Sequence, residues 1–375
     1  MGNVVKLDLS RDKYRSFYYS YDSLSIYLKN LDRFLEKHDD MNSLCFSKRV
    51  MMGMEIQSNN SIEGIKDDLS VIDNVIKRIY GEISTFERIR IINLYKGYQY
   101  ILKNSDINKE SLRELYVILS KGLLDEYSIK NMGKYYRREP VYIMGNTFCD
   151  FKKAVDADKV AYYMDDFFDF VHDANDFNSI DTFLKSQIMH LYFVFVHPYF
   201  DVNGRTARTV SMWYLLNHQE YAFVIFNRAI SYYRQKYIEY VGMGIDNGNI
   251  TNFLKYMLVV VLKELEREFI VSDISNHSGI KLRDVEEQML EYFFMIPGEV
   301  NLRKLGALYY HYNPRMRFND IYHDRILSLI DKGILVKDGG YGKDMLLYLN
   351  EDYLNVDSKE FQYLNFNKKI RKPVI

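Results

Sequence analysis

The sequence predicts a mainly α-helical protein, with one β-hairpin projecting from the helical body and a smaller winged-helix module after it. Proline and glycine are scarce, at 5 and 19 of 375 residues, which suits long helices with few breaks. Apolar residues recur at helical spacing through most of the first two thirds of the chain. Further on, the pattern changes to short helices followed by a pair of strands. These observations place the helical body first and the smaller module second.

The N-terminal region, residues 1–82, is predicted to be helical. One apolar stripe at helical spacing consists of Leu24, Leu28, Leu31 and Leu35. A second helix is expected near Asn42–Ser58, and it leads into the polar stretch Ser58–Gly64. Gly64 is suited to end that helix, because the residue just past a helix end commonly adopts the left-handed conformation. On local pattern alone, Glu63 would be a surface carboxylate at a helix end.

Residues 83–272 are predicted to form the main helical body. Ser84 and Glu87 fit a capping box that opens a helix. Further helices are expected over 109–123, 156–172, 181–195, 205–217, 231–242 and 251–269. One segment interrupts them, because Gly133–Phe151 is rich in β-forming residues, with Gly145 and Asn146 suited to a turn and Pro140 to an edge strand. We therefore expect a β-hairpin there.

A composition shift at Asn276–Gly279 predicts a linker before a second domain over residues 280–355. Helices are expected over 285–294, 302–309 and 318–332, followed by strands at 333–336 and 345–349. Helices followed by a two-stranded ribbon are typical of the winged-helix pattern, which is related to helix-turn-helix modules. Residues 356–375 are predicted to be a loosely ordered tail.

Composition limits the classes of partner and compartment. Basic and acidic residues nearly cancel, at 50 and 51, so no global field favours nucleic acid or membrane binding. Cys45 and Cys149 form neither a disulfide framework nor a metal-binding spacing, which fits a reducing compartment. The most apolar run, Phe253–Leu262, is too short to span a bilayer and contains Lys255. We expect a cytoplasmic protein without a membrane partner.

The densest group of reactive side chains lies in one short segment, His197–Arg208. Upstream of it, helically spaced apolar residues predict a buried helix that ends near Pro198. A second helix can begin after Asn203. The N-terminus of a helix carries unpaired N–H groups and the positive end of the helix dipole, which together favour an anion. The segment therefore predicts a phosphate site.

The side chains of this segment suit phosphoryl or nucleotidyl transfer, which needs a base, a divalent cation and donors around the phosphates. His197 is the candidate base, because its unperturbed pKa suits proton transfer near neutral pH. Asp201 can hold Mg²⁺, which takes carboxylate, phosphate and water oxygens. Candidate phosphate contacts come from Asn203, Gly204, Arg205 and Arg208. A structural alternative, in which these residues only cap helices and face solvent, does not account for the full ordered combination.

The segment resembles the signature of the Fic family, His-x-Phe-x-(Asp or Glu)-(Gly or Ala)-Asn-(Gly or Lys)-Arg followed by x-x-Arg. The positions that match are His197, Asp201, Asn203, Gly204, Arg205 and Arg208. Two positions depart from it: Tyr199 stands where phenylalanine is usual, and Val202 stands where a small residue is usual. Tyr199 is a conservative packing change, whereas Val202 would crowd the phosphate loop.

The resemblance implies a Fic-type helical bundle with a β-hairpin flap, and transfer of AMP from ATP to a Ser, Thr or Tyr hydroxyl of a target protein with the help of Mg²⁺. His197 would then be the base and Asp201 the Mg²⁺ ligand. The α- and β-phosphate anchors would be Asn203, Gly204 and Arg205, and Arg208 would contact the γ-phosphate.

The surrounding sequence is similar to the family over most of residues 50–270. Gly133–Arg137, leading into Val141–Ile143, resembles the flap that aligns the target segment by strand addition. His190 lies two helical turns before His197 on the same face. We expect His190 to be a hydrogen-bonded core histidine rather than a zinc ligand, because no third ligand accompanies the pair.

Glu63 gains a role through the same resemblance. Many relatives carry an inhibitory helix with the pattern (Ser or Thr)-x-x-x-Glu-(Gly or Asn), whose glutamate pairs with the second arginine. Glu63 and Gly64 match this pattern, but Asn59 stands at the hydroxyl position. The hypothesis is that Glu63 pairs with Arg208 and obstructs the γ-phosphate.

Other functions remain open at this point. In one alternative, the transferred group is UMP, phosphocholine or a phosphate instead of AMP. In another, the protein binds its ligand without catalysis. Gly204, in place of the lysine of the kinase-like subgroup, favours AMP. A DNA-binding regulator or a toxin-antitoxin-like protein with a Fic domain is a further alternative. DNA is not favoured, because Asp320 and Asp324 offset the arginines of the predicted recognition helix. The protein is also a candidate to modify itself and to form a homodimer.

Overall fold

A computed structural model describes residues 3–7, 16–37, 48–77, 86–144, 151–172, 180–218, 227–231, 233–277, 280–296, 300–340 and 342–350. Several predicted features lie outside these ranges, namely Cys45, Cys149, Ser84, the turn at Gly145 and Asn146, and the tail over 356–375. The chain divides into two compact units. The first comprises Met1–Lys37 and Met51–Val260, and the second comprises His38–Val50 and Val261–Ile375.

The first unit begins with an antiparallel hairpin of β1 (Val4–Leu7) and β2 (Phe17–Ser20). The helices that follow are α1 (Ser25–Lys37), α2 (Lys48–Ile62), α3 (Leu69–Lys77), α4 (Phe86–Ile101), α5 (Lys109–Ser120) and α6 (Glu126–Asn131). Helix α5 begins with a reciprocal cap, in which the Asn108 side chain accepts from the Ser111 amide and the Ser111 hydroxyl accepts from the Asn108 amide.

The expected β-hairpin is present, formed by β3 (Tyr142–Met144) and β4 (Phe151–Lys153) in antiparallel register. The later helices are α7 (Val160–Val171), α8 (Thr182–Val196), α9 (Asn203–Leu216), α10 (Arg234–Asn247) and α11 (Thr251–His277), with a helical turn at 227–231 before α10. The mainly helical fold class is therefore confirmed, with only small sheets among the described residues.

Helix α8 is the centre of the first unit. All its residues from Phe183 to Val196 are buried, including the polar residues Lys185, Gln187 and His190. The carboxylate of Asp181 caps its first turn by accepting from the amides of Phe183 and Leu184 at 2.9 and 3.1 Å. Helix α9 packs beside α8 and is itself buried over most of its length. In the segment that joins these two helices, Tyr199 and Val202 are buried and Asp201 is exposed.

The second unit contains α12 (Asp284–Met295), α13 (Leu302–Tyr312), α14 (Phe318–Ile321), a π-helical turn (Tyr322–Ile326), α15 (Leu327–Asp331), β5 (Leu335–Asp338) and β6 (Leu346–Leu349). The strands are antiparallel, with Leu335 opposite Leu349. This order of elements agrees with the predicted helices and ribbon, and the winged-helix assignment stays a prediction. Arg325, one arginine of the predicted recognition helix, is buried and packs over the ring of Tyr309.

Two local expectations were wrong. The strands β1 and β2 were not predicted, and they are held by tertiary contacts: the Tyr18 amide donates to the Gly248 carbonyl at 2.9 Å, and the Ile250 amide donates to the Tyr18 carbonyl at 3.0 Å. Helix α11 continues to His277, so the first half of the predicted linker is helical. Over the described residues, no helix is both long and apolar enough to cross a bilayer.

Candidate active site

The predicted phosphate site is the short connection between α8 and α9. His197 ends α8 in the left-handed conformation, with φ of 53°, and its amide donates to the Phe193 carbonyl at 2.9 Å. This turn reverses the chain directly after the buried helix, and Pro198 prevents the helix from continuing. The six matched residues of the signature consequently lie on one turn and the first two turns of α9.

The local hydrogen bonding of His197 leaves its Nε2 available as a base. Its Nδ1 lies 3.2 Å from the Val194 carbonyl oxygen. A carbonyl oxygen only accepts, so Nδ1 carries the proton and Nε2 keeps its lone pair. Burial lowers the pKa of His197 to about 4, against a smaller opposing effect of the Val194 hydrogen bond. The imidazole is therefore neutral at physiological pH.

The loop after His197 is braced by Asn203. Its side chain accepts from the Tyr199 amide at 2.9 Å and donates to the Tyr199 carbonyl at 2.8 Å. The carboxamide oxygen and one of the two Nδ2–H groups are thus used within the loop, and the backbone N–H of Asn203, in the first turn of α9, is available to a phosphate. Val202 takes a left-handed conformation, with φ of 65°, although it is β-branched and buried. That conformation costs about 1–3 kcal/mol, which gives a physical reason for the small residue usual here.

Asp201 is exposed, and one of its carboxylate oxygens accepts from the Val202 amide at 2.6 Å. Within the described part of the chain, no cluster of three or more His, Cys, Asp or Glu side chains is arranged to hold a metal. Mg²⁺ needs only one or two carboxylates when phosphates and water complete its ligands. Asp201 fits such a role.

The start of α9 presents donors without acceptors. The backbone N–H groups of Asn203, Gly204 and Arg205 belong to the first turn, where no intrahelical acceptor exists. The Arg205 side chain is buried, and within the described ranges its Nε has no hydrogen-bond partner. Burial lowers the pKa of Arg205, and the carboxylates of Glu63 and Asp201 oppose this effect. A buried guanidinium beside unpaired amides is suited to an anion.

Arg208, one turn further along α9, is paired with Glu63. The guanidinium Nη2 donates to Glu63 Oε1, and the Arg208 side chain is 2% exposed whereas that of Glu63 is 36% exposed. A Cβ atom on Gly204 would lie 3.0 Å from Glu63 Oε1 and 3.2 Å from Arg208 Nη1. The absence of a side chain at Gly204 therefore lets this ion pair lie directly over the start of α9.

The electrostatics of Glu63 reflect this position. Burial alone would raise the pKa of Glu63, but the charge and hydrogen bond of Arg208, together with the charges of Arg205 and Arg234, lower it overall. Glu63 follows the last residue of α2, and Gly64 after it has a left-handed φ of 84°. The expected role of Gly64 as the end of the helix is confirmed. Glu63 is thus an ionised carboxylate held at the mouth of the predicted phosphate site.

Arg137 joins the hairpin segment to the His197 turn. Its Nε donates to the His197 carbonyl at 2.8 Å, and its backbone amide donates to the Pro198 carbonyl at 3.0 Å. The remaining guanidinium nitrogens donate to the carbonyls of Glu139 and Val155. Burial lowers the pKa of Arg137 to about 10. One buried side chain therefore connects both ends of the hairpin segment with the backbone of the candidate base.

His190 is a core histidine, as expected. It is fully buried, and its Nε2 lies 2.8 Å from the Tyr237 hydroxyl. Burial raises the pKa of Tyr237, and the positive charge of the nearby Arg208 opposes this rise. Sequence reasoning did not identify Tyr237 as a neighbour of the site, because it comes from a distant helix with no local motif.

Comparisons with known proteins agree with the helical fold. The Fic/DOC family profile matches residues 106–215. Among solved structures, the chain is similar to a Fic family protein from Desulfovibrio desulfuricans G20, with 17% identity, a TM-score of 0.58, and coverage of 87% of this chain and 95% of that one. It is also similar to Fic-1 from C. elegans, with 18% identity, a TM-score of 0.51, and coverage of 67% and 74%. A search of curated proteins found no match.

The fold is similar to that of Fic family proteins, and residues 106–215 match the family profile. The chain contains a Fic/DOC family domain. Domains of this family generally transfer AMP or other nucleotidyl groups to protein side chains, and proteins that contain them are typically transferases.

Proposed function

We propose that the protein transfers AMP from ATP to a Ser, Thr or Tyr hydroxyl of a target protein, and that Glu63 inhibits this reaction. The observation that carries the proposal is the start of α9, where unpaired backbone amides and the buried Arg205 guanidinium lie beside the His197 turn. Such a site complements the α- and β-phosphates of a nucleotide. Arg208 is the expected contact for the γ-phosphate.

His197 acts as the base in this proposal. Its neutral imidazole, with Nδ1 bound to the Val194 carbonyl, presents Nε2 to accept the proton of the target hydroxyl as the oxygen attacks the α-phosphate. The bond between the α-phosphorus and the oxygen that bridges to the β-phosphate breaks, and pyrophosphate leaves. Because its pKa is about 4, the base form is present throughout the neutral range. Mg²⁺, held by Asp201, would neutralise phosphate charge.

The hairpin is the proposed holder of the target. Strands β3 and β4 form a sheet of only two strands, so each retains one edge that can accept a further strand. Arg137 fixes this hairpin segment to the His197 backbone. A target segment paired with the hairpin is therefore presented close to the base.

Inhibition by Glu63 follows from charge. The carboxylate neutralises Arg208 and occupies the space over Gly204. An ATP γ-phosphate would have to displace this anion in order to reach the same guanidinium. Removal of Glu63 should therefore free Arg208 for ATP.

The test is incubation of the purified chain with labelled ATP and Mg²⁺. We expect Glu63→Gly to incorporate more AMP label than the wild type, and the double variant Glu63→Gly with His197→Ala to incorporate none. Label in the double variant would refute His197 as the base, and no rise in Glu63→Gly would refute the inhibition. Parallel reactions with UTP and CDP-choline decide whether another group is transferred instead, which would refute AMP.

A further inference from the structure

Arg208 is held by a second side chain of α2, Asn59. The Asn59 Oδ1 accepts from Arg208 Nη2 at 2.8 Å and from Nε at 3.2 Å. Because a guanidinium only donates, the carboxamide oxygen must face it. The Asn59 Nδ2 then points the other way and donates to the Tyr98 hydroxyl at 3.0 Å. Both ends of this carboxamide are therefore fixed.

The contact continues into the core. The Tyr98 hydroxyl also accepts from Asn227 Nδ2 at 3.3 Å, and the backbone amide of Asn227 donates to Glu55 Oε2 at 3.0 Å. Asn59, Tyr98, Asn227 and Glu55 are all fully buried. The orientation of Asn59 is thus set by a chain of buried hydrogen bonds that does not pass through Glu63.

Asn59 and Glu63 differ in what they do to the charge of Arg208. The carboxylate of Glu63 neutralises the guanidinium and competes with an anionic phosphate. The carboxamide of Asn59 is neutral, so it orients the guanidinium and leaves its positive charge available. A neutral acceptor is compatible with phosphate binding to the remaining donors.

The two residues also differ in freedom to move. Residues 51–60 of α2 are all buried. Glu63 lies past the end of this helix and is 36% exposed. It is followed by Gly64, where an added Cβ atom would meet no other atom within 4 Å. A small backbone change at this end would move Glu63 without disturbing Asn59.

We propose that Asn59 is a positioning residue that holds Arg208 ready for the γ-phosphate, and that inhibition is relieved by a local movement of Glu63 while α2 stays in place. This inference rests on the proposed function. It means that α2 combines two roles: Asn59 supports the active arrangement of Arg208, and Glu63 blocks it. Withdrawal of the whole helix would release the inhibition but would also remove the support.

The test measures the Kd for ATP and for ADP by calorimetry in the Glu63→Gly background. Adding Asn59→Ala should weaken ATP binding about tenfold, the loss expected for hydrogen bonds to a charged group, while ADP binding is unchanged because ADP lacks the γ-phosphate. The matched control is Asn60→Ala, since Asn60 is equally buried on α2 but donates to Asp67 instead. The control should leave the ratio of the two Kd values unchanged.

Asn59→Asp keeps the shape of the side chain and carries the test if Asn59→Ala does not fold. Its carboxylate would neutralise Arg208, so ATP binding should weaken while ADP binding is again unchanged. An unchanged ratio of ATP to ADP affinity in a folded Asn59 variant would overturn the positioning role. If Glu63→Gly itself binds no ATP, the proposed function fails and this inference fails with it.

Hydrogen exchange tests the local movement. When ATP binds to the wild type, the amides of residues 51–60 should keep their protection while those around Glu63 change. A loss of protection along the whole of α2 would show that the helix withdraws, and would overturn the proposal.

Discussion

Tyr199 places a hydroxyl group in the core below the His197 turn. The ring is fully buried and stacks on Tyr116, with ring centroids 3.6 Å apart and an angle of 13° between their planes. Within the described part of the chain, the Tyr199 hydroxyl has no hydrogen-bond partner. A buried polar group without a partner costs about 1–3 kcal/mol. The phenylalanine usual at this position avoids that cost.

We therefore predict that Tyr199→Phe raises the free energy of unfolding by about 1 kcal/mol. Denaturant unfolding measures the change. Tyr237→Phe is the matched control, because it removes a buried hydroxyl that is hydrogen-bonded to His190 and should lower stability. A loss of stability in Tyr199→Phe would show that its hydroxyl has a partner.

Glu55 makes stability depend on pH. Burial raises the pKa of Glu55 to about 8, although hydrogen bonds from the Asn227 and Arg228 backbone oppose the shift. The folded state therefore keeps a proton on this carboxyl at pH values where the unfolded state has lost it. The stabilisation that protonated Glu55 gives the folded state is fully present below the ordinary pKa of a glutamate, near 4.5, and is lost as pH rises through about 8.

The prediction is that Glu55→Gln, which cannot ionise, removes this dependence. The stability of the wild type relative to Glu55→Gln should fall as pH rises from about 5 to about 8. Thermal melting of both proteins across this range measures it. Parallel curves would contradict a raised pKa at Glu55.

At the scale of elements, one glycine allows the N-terminal hairpin to approach the turn after α10. Gly248 follows α10 with a left-handed φ of 75°, and a Cβ atom there would lie 2.6 Å from the Ser16 carbonyl oxygen. Phe17 and Tyr19 of β2 are buried against the same unit. The close approach of two backbones at Gly248 is what allows β2 to pair with the turn before α11.

Gly248→Ala is predicted to destabilise the protein by more than about 1 kcal/mol, because it adds both the left-handed penalty and the clash with Ser16. Gly242→Ala, in the interior of α10 with no atom near its Cβ position, should instead stabilise by about 0.5–1 kcal/mol. Thermal unfolding of the two variants tests the contrast. Equal changes in stability for the two variants would mean that the hairpin does not depend on the close approach of the backbones at Gly248.

At the scale of the whole molecule, the second unit has its own buried ionic centre. Glu286 is fully buried and accepts from the Arg283 amide at 2.7 Å, Lys332 Nζ at 2.6 Å and the Ser328 hydroxyl at 2.6 Å. Burial alone would raise the pKa of Glu286, but these hydrogen bonds lower it to about 2. One carboxylate thereby links α12 to the end of α15.

We predict that Glu286→Ala destabilises the second unit by about 3 kcal/mol at neutral pH, because Lys332 loses its buried partner. The depressed pKa means that the wild-type advantage is complete above about 4.5 and is lost as pH falls through about 2. Hydrogen exchange measures the change: the amides of α12 should exchange faster in Glu286→Ala than in the wild type, whereas those of α8 in the first unit should exchange at the same rate in both. Asp284→Ala, at an exposed position two residues earlier, should cost less than about 1 kcal/mol.

Much of this protein was predictable from short segments. Helical spacing located the main helices, the β-forming run at Gly133–Phe151 located the hairpin, and the ordered signature from His197 to Arg208 placed its polar groups on a turn and the start of the helix after it. The strands β1 and β2 were not predictable, because four-residue strands carry little periodicity and depend on backbone contacts with Gly248 and Ile250. The last helix of the helical body, α11, was predicted to end at residue 269 but continues to His277.

By itself, the sequence determined which chemical groups meet along one turn, because residues within a few positions of each other are brought together by helix geometry alone. Only the tertiary structure decided what Arg208 touches: Glu63 and Asn59 lie 145 and 149 positions away. It also decided that Arg137 holds the His197 carbonyl, across 60 positions. The physical reason is that such contacts require several helices to pack in one arrangement, and each helix carries only its own part of that information.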